Sequence, residues 1–234
     1  MANQVVIVTG ASGGIGSAIV ARFEAVGDTV VGLDLVVGHD VSDSAACAIA
    51  CDDVVARHGR IDVLCNNAGT SAVGDVVDAS PQDWERVFAT NVFGVANMSR
   101  ATLPHMRAAG RGVVINTCSI AATLGLVERA VYSASKGAVL ALTRAMAADE
   151  IGNGIRVNCV SPATVSSPWV QRLVATSDDP EATEDHLRRR QPLGRMVSVE
   201  EVADAVAYLA SPTTFTTGAD LLLDGGMSGV RLVD

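Results

Sequence analysis

The sequence predicts an α/β protein built on one doubly wound parallel sheet, and three observations carry that expectation. Strand-length runs of Val, Ile and Leu alternate with helix-length amphipathic stretches from end to end. The runs are mostly continuous rather than alternating apolar and polar, as in parallel strands covered on both faces. With 234 residues, 49% of them hydrophobic, the chain can bury a sizeable core as one domain over 1–234.

The elements follow in order. "QVVIVT" (4–9) forms the first strand, and a glycine-rich turn leads into a helix over 14–26. "TVVGLD" (29–34) forms the second strand. Only "LVVGH" then separates Asp34 from "DVSD" (40–43), whereas a parallel crossover needs a dozen or more residues. No helix is therefore expected after the second strand, and any third edge strand is vestigial. A helix over 43–58 leads to the strand "IDVLCN" (61–66). Ser80 as N-cap and Pro81 at the first helical position start a helix read as continuous over 81–108. The strand "GVVINTC" (112–118), a helix over 131–151 and the strand "IRVNCV" (155–160) come next. A segment at about 166–195 forms a lid, with a helix near 181–190. Ser198 and Glu201 make a capping box for a helix over 199–210, and "DLLLD" (220–224) is the last strand.

Composition excludes several roles. A net charge of −9 argues against a nucleic-acid partner, and "RRR" at 188–190 is too short to reverse it. No apolar run approaches the 18 residues needed to span a bilayer. The start, "MANQVVIVTG", lacks a basic region and a cleavage pattern, so a cytoplasmic protein is expected. The five cysteines (47, 51, 65, 118 and 159) include no C-x-x-C pair, and an odd number suits reduced thiols. Cys47 and Cys51 share a helix face and read as small buried residues, not as a metal site.

Two stretches carry chemistry. "VIVTGASGGIGSAIVARF" (6–23) is strand, turn and helix, with Gly10, Gly14 and Gly16 spaced so that backbone amides approach a pyrophosphate at the helix N-terminus. Asp34 ends the next strand 18 residues after Gly16, where a carboxylate accepts both ribose hydroxyls and repels a 2′-phosphate. No Arg or Lys occupies 11–17 or 35–38, so the expected cofactor is NAD rather than NADP. In "LVERAVYSASKGAV" (126–139), Tyr132 and Lys136 are four apart and stack on one helix face. A phenol is a poor acid–base catalyst at neutral pH, and an adjacent ammonium together with a bound nicotinamide cation favours the phenolate. Spacing alone favours a tyrosine anchoring its helix beside an exposed lysine.

Taken together, the motifs resemble the short-chain dehydrogenase/reductase family from residue 4 to about 227. They run as "TGASGGIG" (9–16), "DV" (40–41), "NNAG" (66–69), "NVFG" (91–94), "INTCSI" (115–120), "YSASK" (132–136), "RVNCVSPATV" (156–165) and "TGADLLLDGG" (217–226). The resemblance implies a Rossmann fold and hydride transfer between a nicotinamide and a secondary alcohol or ketone. It implies proton transfer by Tyr132, tuning of Tyr132 and a grip on the nicotinamide ribose by Lys136, a hydrogen bond to substrate from Ser119, and a relay water on Asn91. For the cofactor it implies Gly10, Ser12, Gly14, Ile15 and Gly16 at the pyrophosphate, with Asp34 and Leu35 at the ribose. Asp40 and Val41 would meet the adenine, Asn67, Ala68 and Gly69 would flank its ribose, and Pro162, Thr164, Val165 and Ser167 would cover the nicotinamide. Ala163 and Ser167 stand where the family usually has glycine and threonine.

Arg129, Arg172 and Arg190 look like the arginines of family members that oxidise small hydroxy acids or sugar acids, with Arg172 aligning only after a one-residue shift. A guanidinium fork suits a carboxylate or sulfonate, so an anionic substrate is expected. The bland alternative for Arg129 is an exposed loop arginine or a salt bridge to Glu128. The competing enzymes are an oxoacyl-carrier-protein reductase and a dehydrogenase of a sulfonate or a neutral alcohol, and the competing non-enzyme is a nucleotide sensor or scaffold on the same fold. The resemblance also implies a homotetramer built through 81–108, 131–151 and the C-terminal "DGGMSGVRLVD".

Overall fold

The computed structural model describes residues 3–231. The last three residues of the C-terminal segment expected at an interface therefore lie outside the described residues. Six parallel strands form the sheet: β1 (Val5–Thr9), β2 (Thr29–Leu33), β3 (Val63–Asn66), β4 (Gly112–Thr117), β5 (Ile155–Pro162) and, last in the chain, β8 (Asp220–Leu223). Their spatial order is β2-β1-β3-β4-β5-β8. Helices α1 (Gly14–Glu24) and α8 (Val199–Ala210) cover one face; α2 (Ser44–His58), α4 (Gly94–Ala109) and α5 (Ala130–Glu150) cover the other. β1 is buried along its whole length, as continuous apolar sequence requires of a strand covered twice.

The link directly after β2 is as short as the sequence predicts. A single 3₁₀ turn, Leu35–Val37, is all that forms between β2 and the turn leading to α2. The chain then crosses to β3 on the far side of β1, so β2 is left at the edge of the sheet.

Three elements differ from expectation. The helix read over 81–108 is α3 (Pro81–Phe88), a π-helical segment (Ala89–Phe93) and α4. Its start is as read, with Ser80 Oγ accepting from the Asp83 amide at 3.1 Å. The lid gains a helix the sequence reading lacked, α6 (Pro168–Ala175), ahead of α7 (Pro180–Arg189). Two-residue strands β6 (Val165–Ser166) and β7 (Val197–Ser198) pair beneath it and clip the two ends of the lid together.

Buried polar bonds tie the central layers. Asn66 donates to Asn116 Oδ1 at 2.9 Å, and Asn116 donates to Thr143 Oγ1 at 2.8 Å, joining β3, β4 and α5. At the other end of α5, Glu150 is 1% exposed and accepts from Arg107 Nε at 2.9 Å and from Asn153 Nδ2 at 2.9 Å. The Arg107 guanidinium holds the Glu150 carboxyl below its ordinary range, against the opposing effect of burial.

Candidate active site

The residues singled out in the sequence gather at the C-terminal ends of the parallel strands, where doubly wound sheets bind ligands. Gly10 turns the chain after β1 with φ +63°, a left-handed conformation that favours glycine. A Cβ on Gly16 would meet the Gly10 carbonyl oxygen at 2.0 Å, so helix α1 can approach the turn only through a glycine. Thr9 Oγ1 accepts from the amides of Asn67 at 2.9 Å and Ala68 at 3.0 Å, and Asn67 Nδ2 donates to the carbonyls of Thr9 at 3.1 Å and Gly10 at 3.2 Å. These bonds lock "NNAG" against the glycine turn.

The cradle fits a dinucleotide. No side chain caps α1 and its first turn holds no acidic residue, so the positive end of the helix is left for an anion. Asp34 sits beside that turn, its carboxylate accepting from Ser12 N at 2.9 Å and Val36 N at 3.1 Å. Leu35 is exposed in the next turn; Asp40 accepts from the Ser42 amide at 2.8 Å, and Val41 is buried against Gly94.

A cavity of about 600 Å³ opens beside the cradle. Ser119, Tyr132 and Lys136 line it together with Ile15, Asn67, Gly69, Pro162, Thr164, Val165 and Ser167. Ser119 stands two residues past the end of β4 and caps a 3₁₀ turn, its Oγ accepting from Ala121 N at 3.2 Å. Lys136 is 5% exposed, and its ammonium donates to the Thr117 carbonyl at 2.8 Å. The same ammonium lies 5.7 Å from the centroid of the Tyr132 ring, one helical turn away. Asn91 sits in the π segment, fully enclosed. It donates to the Thr70 carbonyl at 2.9 Å and to Ser135 Oγ at 3.0 Å, and accepts from Thr70 N at 2.8 Å. The extra residue of the π turn aims this side chain inward, and π segments of this kind cluster at functional sites. A Cβ built on Gly69 would stand 3.4 Å from Asn91 Oδ1 and 3.7 Å from Lys136 Nζ, so the two groups face one small space.

Of the three arginines, Arg129 and Arg190 line the cavity. Arg172 does not: it lies exposed on α6, whose cavity face is formed by Trp169, Val170 and Leu173. The one-residue offset in its alignment has rotated it by about 100° on the helix, away from the site. Arg129 donates to the Glu128 carbonyl at 2.8 Å rather than to its carboxylate. Glu128 is the one non-glycine with positive φ among the described residues, at 55°. Ala163 adopts no such strained conformation, so the alanine is accommodated.

Sequence reasoning passed over several wall residues. Thr70 and Ser71 line the cavity and are held by Arg86, which donates to Thr70 Oγ1 at 2.9 Å and the Ser71 carbonyl at 3.2 Å. Cys118 also lines it; the neighbouring Cys159 thiol and the Lys136 charge lower the Cys118 pKa against the opposing effect of burial, while Cys118 and burial push that of Cys159 up.

Residues 31–228 match the family profile described as enoyl-(acyl carrier protein) reductase. The chain is 38% identical over 243 residues to meso-2,3-butanediol dehydrogenase of Serratia marcescens, covering 96% of this chain and 94% of that one. The chain belongs to the short-chain dehydrogenase/reductase family. Within the family it is 40% identical over 192 residues to 2-keto-3-deoxy-L-fuconate dehydrogenase of Xanthomonas campestris pv. campestris, covering 81% of this chain and 63% of that protein. An NAD+-bound xylitol dehydrogenase superposes with TM-score 0.88 at 31% identity over 95% of this chain and 98% of its own. ElxO with NADP bound superposes with TM-score 0.92 at 26% identity over 97% of this chain and 100% of its own. These relatives make the chain an oxidoreductase of CH–OH groups, and its solved neighbours carry a nicotinamide cofactor of either kind. Among the described residues no helix is long and apolar enough to cross a membrane.

Proposed function

We propose that the protein interconverts a secondary alcohol and a ketone with NAD, on a small anionic hydroxy acid or sugar acid. One observation carries the substrate class. In a chain of net charge −9, the cavity is lined by Arg129, Lys136 and Arg190 and, among the described residues, by no Asp or Glu. Neither cavity arginine has a carboxylate partner among the described residues, so their charge is available to a ligand. Two guanidinium groups in a partly enclosed space select strongly for an anion.

When bound, the nicotinamide supplies the hydride acceptor in oxidation and the donor in reduction. Ser119 hydrogen-bonds the reacting oxygen. Tyr132 takes the hydroxyl proton in oxidation and returns it in reduction. Lys136 stabilises the negative charge that Tyr132 carries in the basic form and holds the nicotinamide ribose, and Asn91 carries the proton path onward. Gly10, Ser12, Gly14, Ile15 and Gly16 offer the pyrophosphate site, and Asp34 with Leu35 the ribose site. Asp40, Val41, Asn67, Ala68 and Gly69 frame the adenosine; Pro162, Thr164, Val165 and Ser167 cover the nicotinamide. The carboxylate of Asp34, with no cation at 11–17 or 35–38, supports NAD over NADP.

Arg129→Ala and Arg190→Ala test the reading. Each should raise KM for a hydroxy acid about 10- to 100-fold, the loss of a charge-assisted hydrogen bond, and leave a neutral alcohol nearly unchanged. Equal losses on both substrates would overturn it. The full-length likeness to a butanediol dehydrogenase favours a second reading, a neutral diol, which the same experiment separates. For the assembly we propose a homotetramer. Phe93 beside α4 and Phe215 ahead of β8 are apolar and exposed, as interface residues are in an isolated subunit.

A further inference from the structure

We infer that the substrate carries an unsubstituted aliphatic chain beside its anionic group, and that Trp169, Leu173 and Leu187 of the lid select it. This deepens the proposed function and rests on its anionic substrate. Beside the polar Thr70 and Ser71, the cavity has three unlike walls. Ser119, Tyr132 and Lys136 form the reacting wall, and Arg129 and Arg190 the cationic one. The third comes from the two lid helices, and it is apolar. α6 presents Trp169, Val170 and Leu173, and α7 presents Leu187 one turn before Arg190.

Both lid helices have strongly polar faces to spare. α7 carries Glu181, Glu184, Asp185, His186, Arg188 and Arg189, yet the residues it turns to the cavity are Leu187 and Arg190. α6 likewise points Gln171 and Arg172 away. A sugar acid needs donors and acceptors for each hydroxyl, because a polar group buried without a partner is costly. This wall offers it a single donor, the indole N–H of Trp169, and no acceptor.

The exposure of these side chains is the second observation. Trp169 is 57% exposed and Leu173 is 44% exposed, facing a cavity rather than a core. Large apolar groups left open at the mouth of a binding site mark what the ligand covers. The charge of Arg190 three residues from Leu187 fixes the arrangement: the anionic head meets the arginines and the carbon chain lies along the lid.

The test is a specificity series with NAD+ and the whole enzyme. The probes are straight-chain 3-hydroxy acids of four to eight carbons, sugar acids of matching length, and 2-alkanols of matching length. The expected result is a rise in kcat/KM of about four-fold per added methylene until the lid is covered, the ratio for ~0.8 kcal/mol per buried CH2. Sugar acids should trail the matched hydroxy acid by at least ten-fold. Trp169→Ala should flatten the rise, and Leu173→Gln, also at an exposed position, should flatten it independently. Activity confined to acids but flat with chain length, or higher on sugar acids, would overturn this inference and leave the anionic reading intact. Matched 2-alkanols turned over as well as the acids, unaffected by Arg190→Ala, would overturn both.

Discussion

Replacing Gly16 with alanine puts the geometry of the cofactor turn to a quantitative test. A methyl group there would lie 2.0 Å from the Gly10 carbonyl oxygen, 2.8 Å from its carbonyl carbon and 2.9 Å from Asn67 Nδ2. Relief to ordinary contact near 3.4 Å requires a movement of more than an ångström. The obstacle is backbone, and backbone that Asn67 and Ala68 hold from the other side. Overpacking of this kind costs about 1–3 kcal/mol. Alanine's better helix propensity returns at most ~1 kcal/mol, so the clash wins. In a domain of this length the net loss lowers Tm by roughly 2–6 °C. The larger effect is functional, since α1 and the turn must separate where the pyrophosphate would sit. NAD affinity, by calorimetry, should fall more than ten-fold. Gly13→Ala is the control: a Cβ there meets only the Gly10 carbonyl, at 3.4 Å, and its backbone is extended with φ −76°. It should keep NAD affinity within about three-fold. Wild-type Tm and NAD affinity in Gly16→Ala would refute the argument that close approach at this turn needs glycine.

Tyr132→Phe should reduce kcat by about 10²–10⁴-fold while NAD affinity and Tm hold, measured by steady-state rates and calorimetry. Asp34→Ala removes the carboxylate beside the Ser12 amide; kcat/KM with NAD+ should fall 10- to 100-fold, and the preference over NADP+ should shrink, read from the ratio of the two cofactors. Glu150→Gln should cost roughly 1–2 kcal/mol at pH 7, toward the low end of a buried charged bond because Arg107 itself is half-exposed. The folded-state pKa of Glu150 is lowered, so its contribution is present above the unfolded value near 4.3 and is lost as pH falls below it. Thermal melts of wild type and variant should therefore differ at pH 7 and converge toward pH 3.

Much of this was legible in the residues. Continuous apolar runs gave the buried strands, and the five residues between Asp34 and Asp40 left no room for a helix and a further strand directly after β2. The caps at Ser80 and Ser198 stated their own geometry in side chains that pair with nearby amides. The π segment was not legible, because one extra residue in a turn leaves the apolar periodicity on either side unbroken, and "RVFATNVFGVAN" reads as one helix. Helix α6 did carry a signal that the reading passed over: Ser167 caps it, accepting from Val170 N at 3.3 Å, and Pro168 stands at its first position. Arg172 shows the limit of alignment on a short helix, where a slip of one position turns a side chain from the cavity to solvent.

The short link after β2 also bears on how the molecule behaves in a crowded solution. With no strand beyond it among the described residues, β2 presents a row of unpaired amides and carbonyls that a second molecule could extend. That edge is five residues long, "TVVGL", and an aspartate stands at each end of it. Asp28 accepts from the Gln4 amide at 2.8 Å and Asp34 from the Ser12 amide at 2.9 Å, so the two carboxylates fasten both ends of β2 to the neighbouring chain. An approaching copy of the same edge would bring four carboxylates together. Asp34, proposed above to face the cofactor ribose, would thus serve a second time as a gatekeeper against edge-to-edge aggregation.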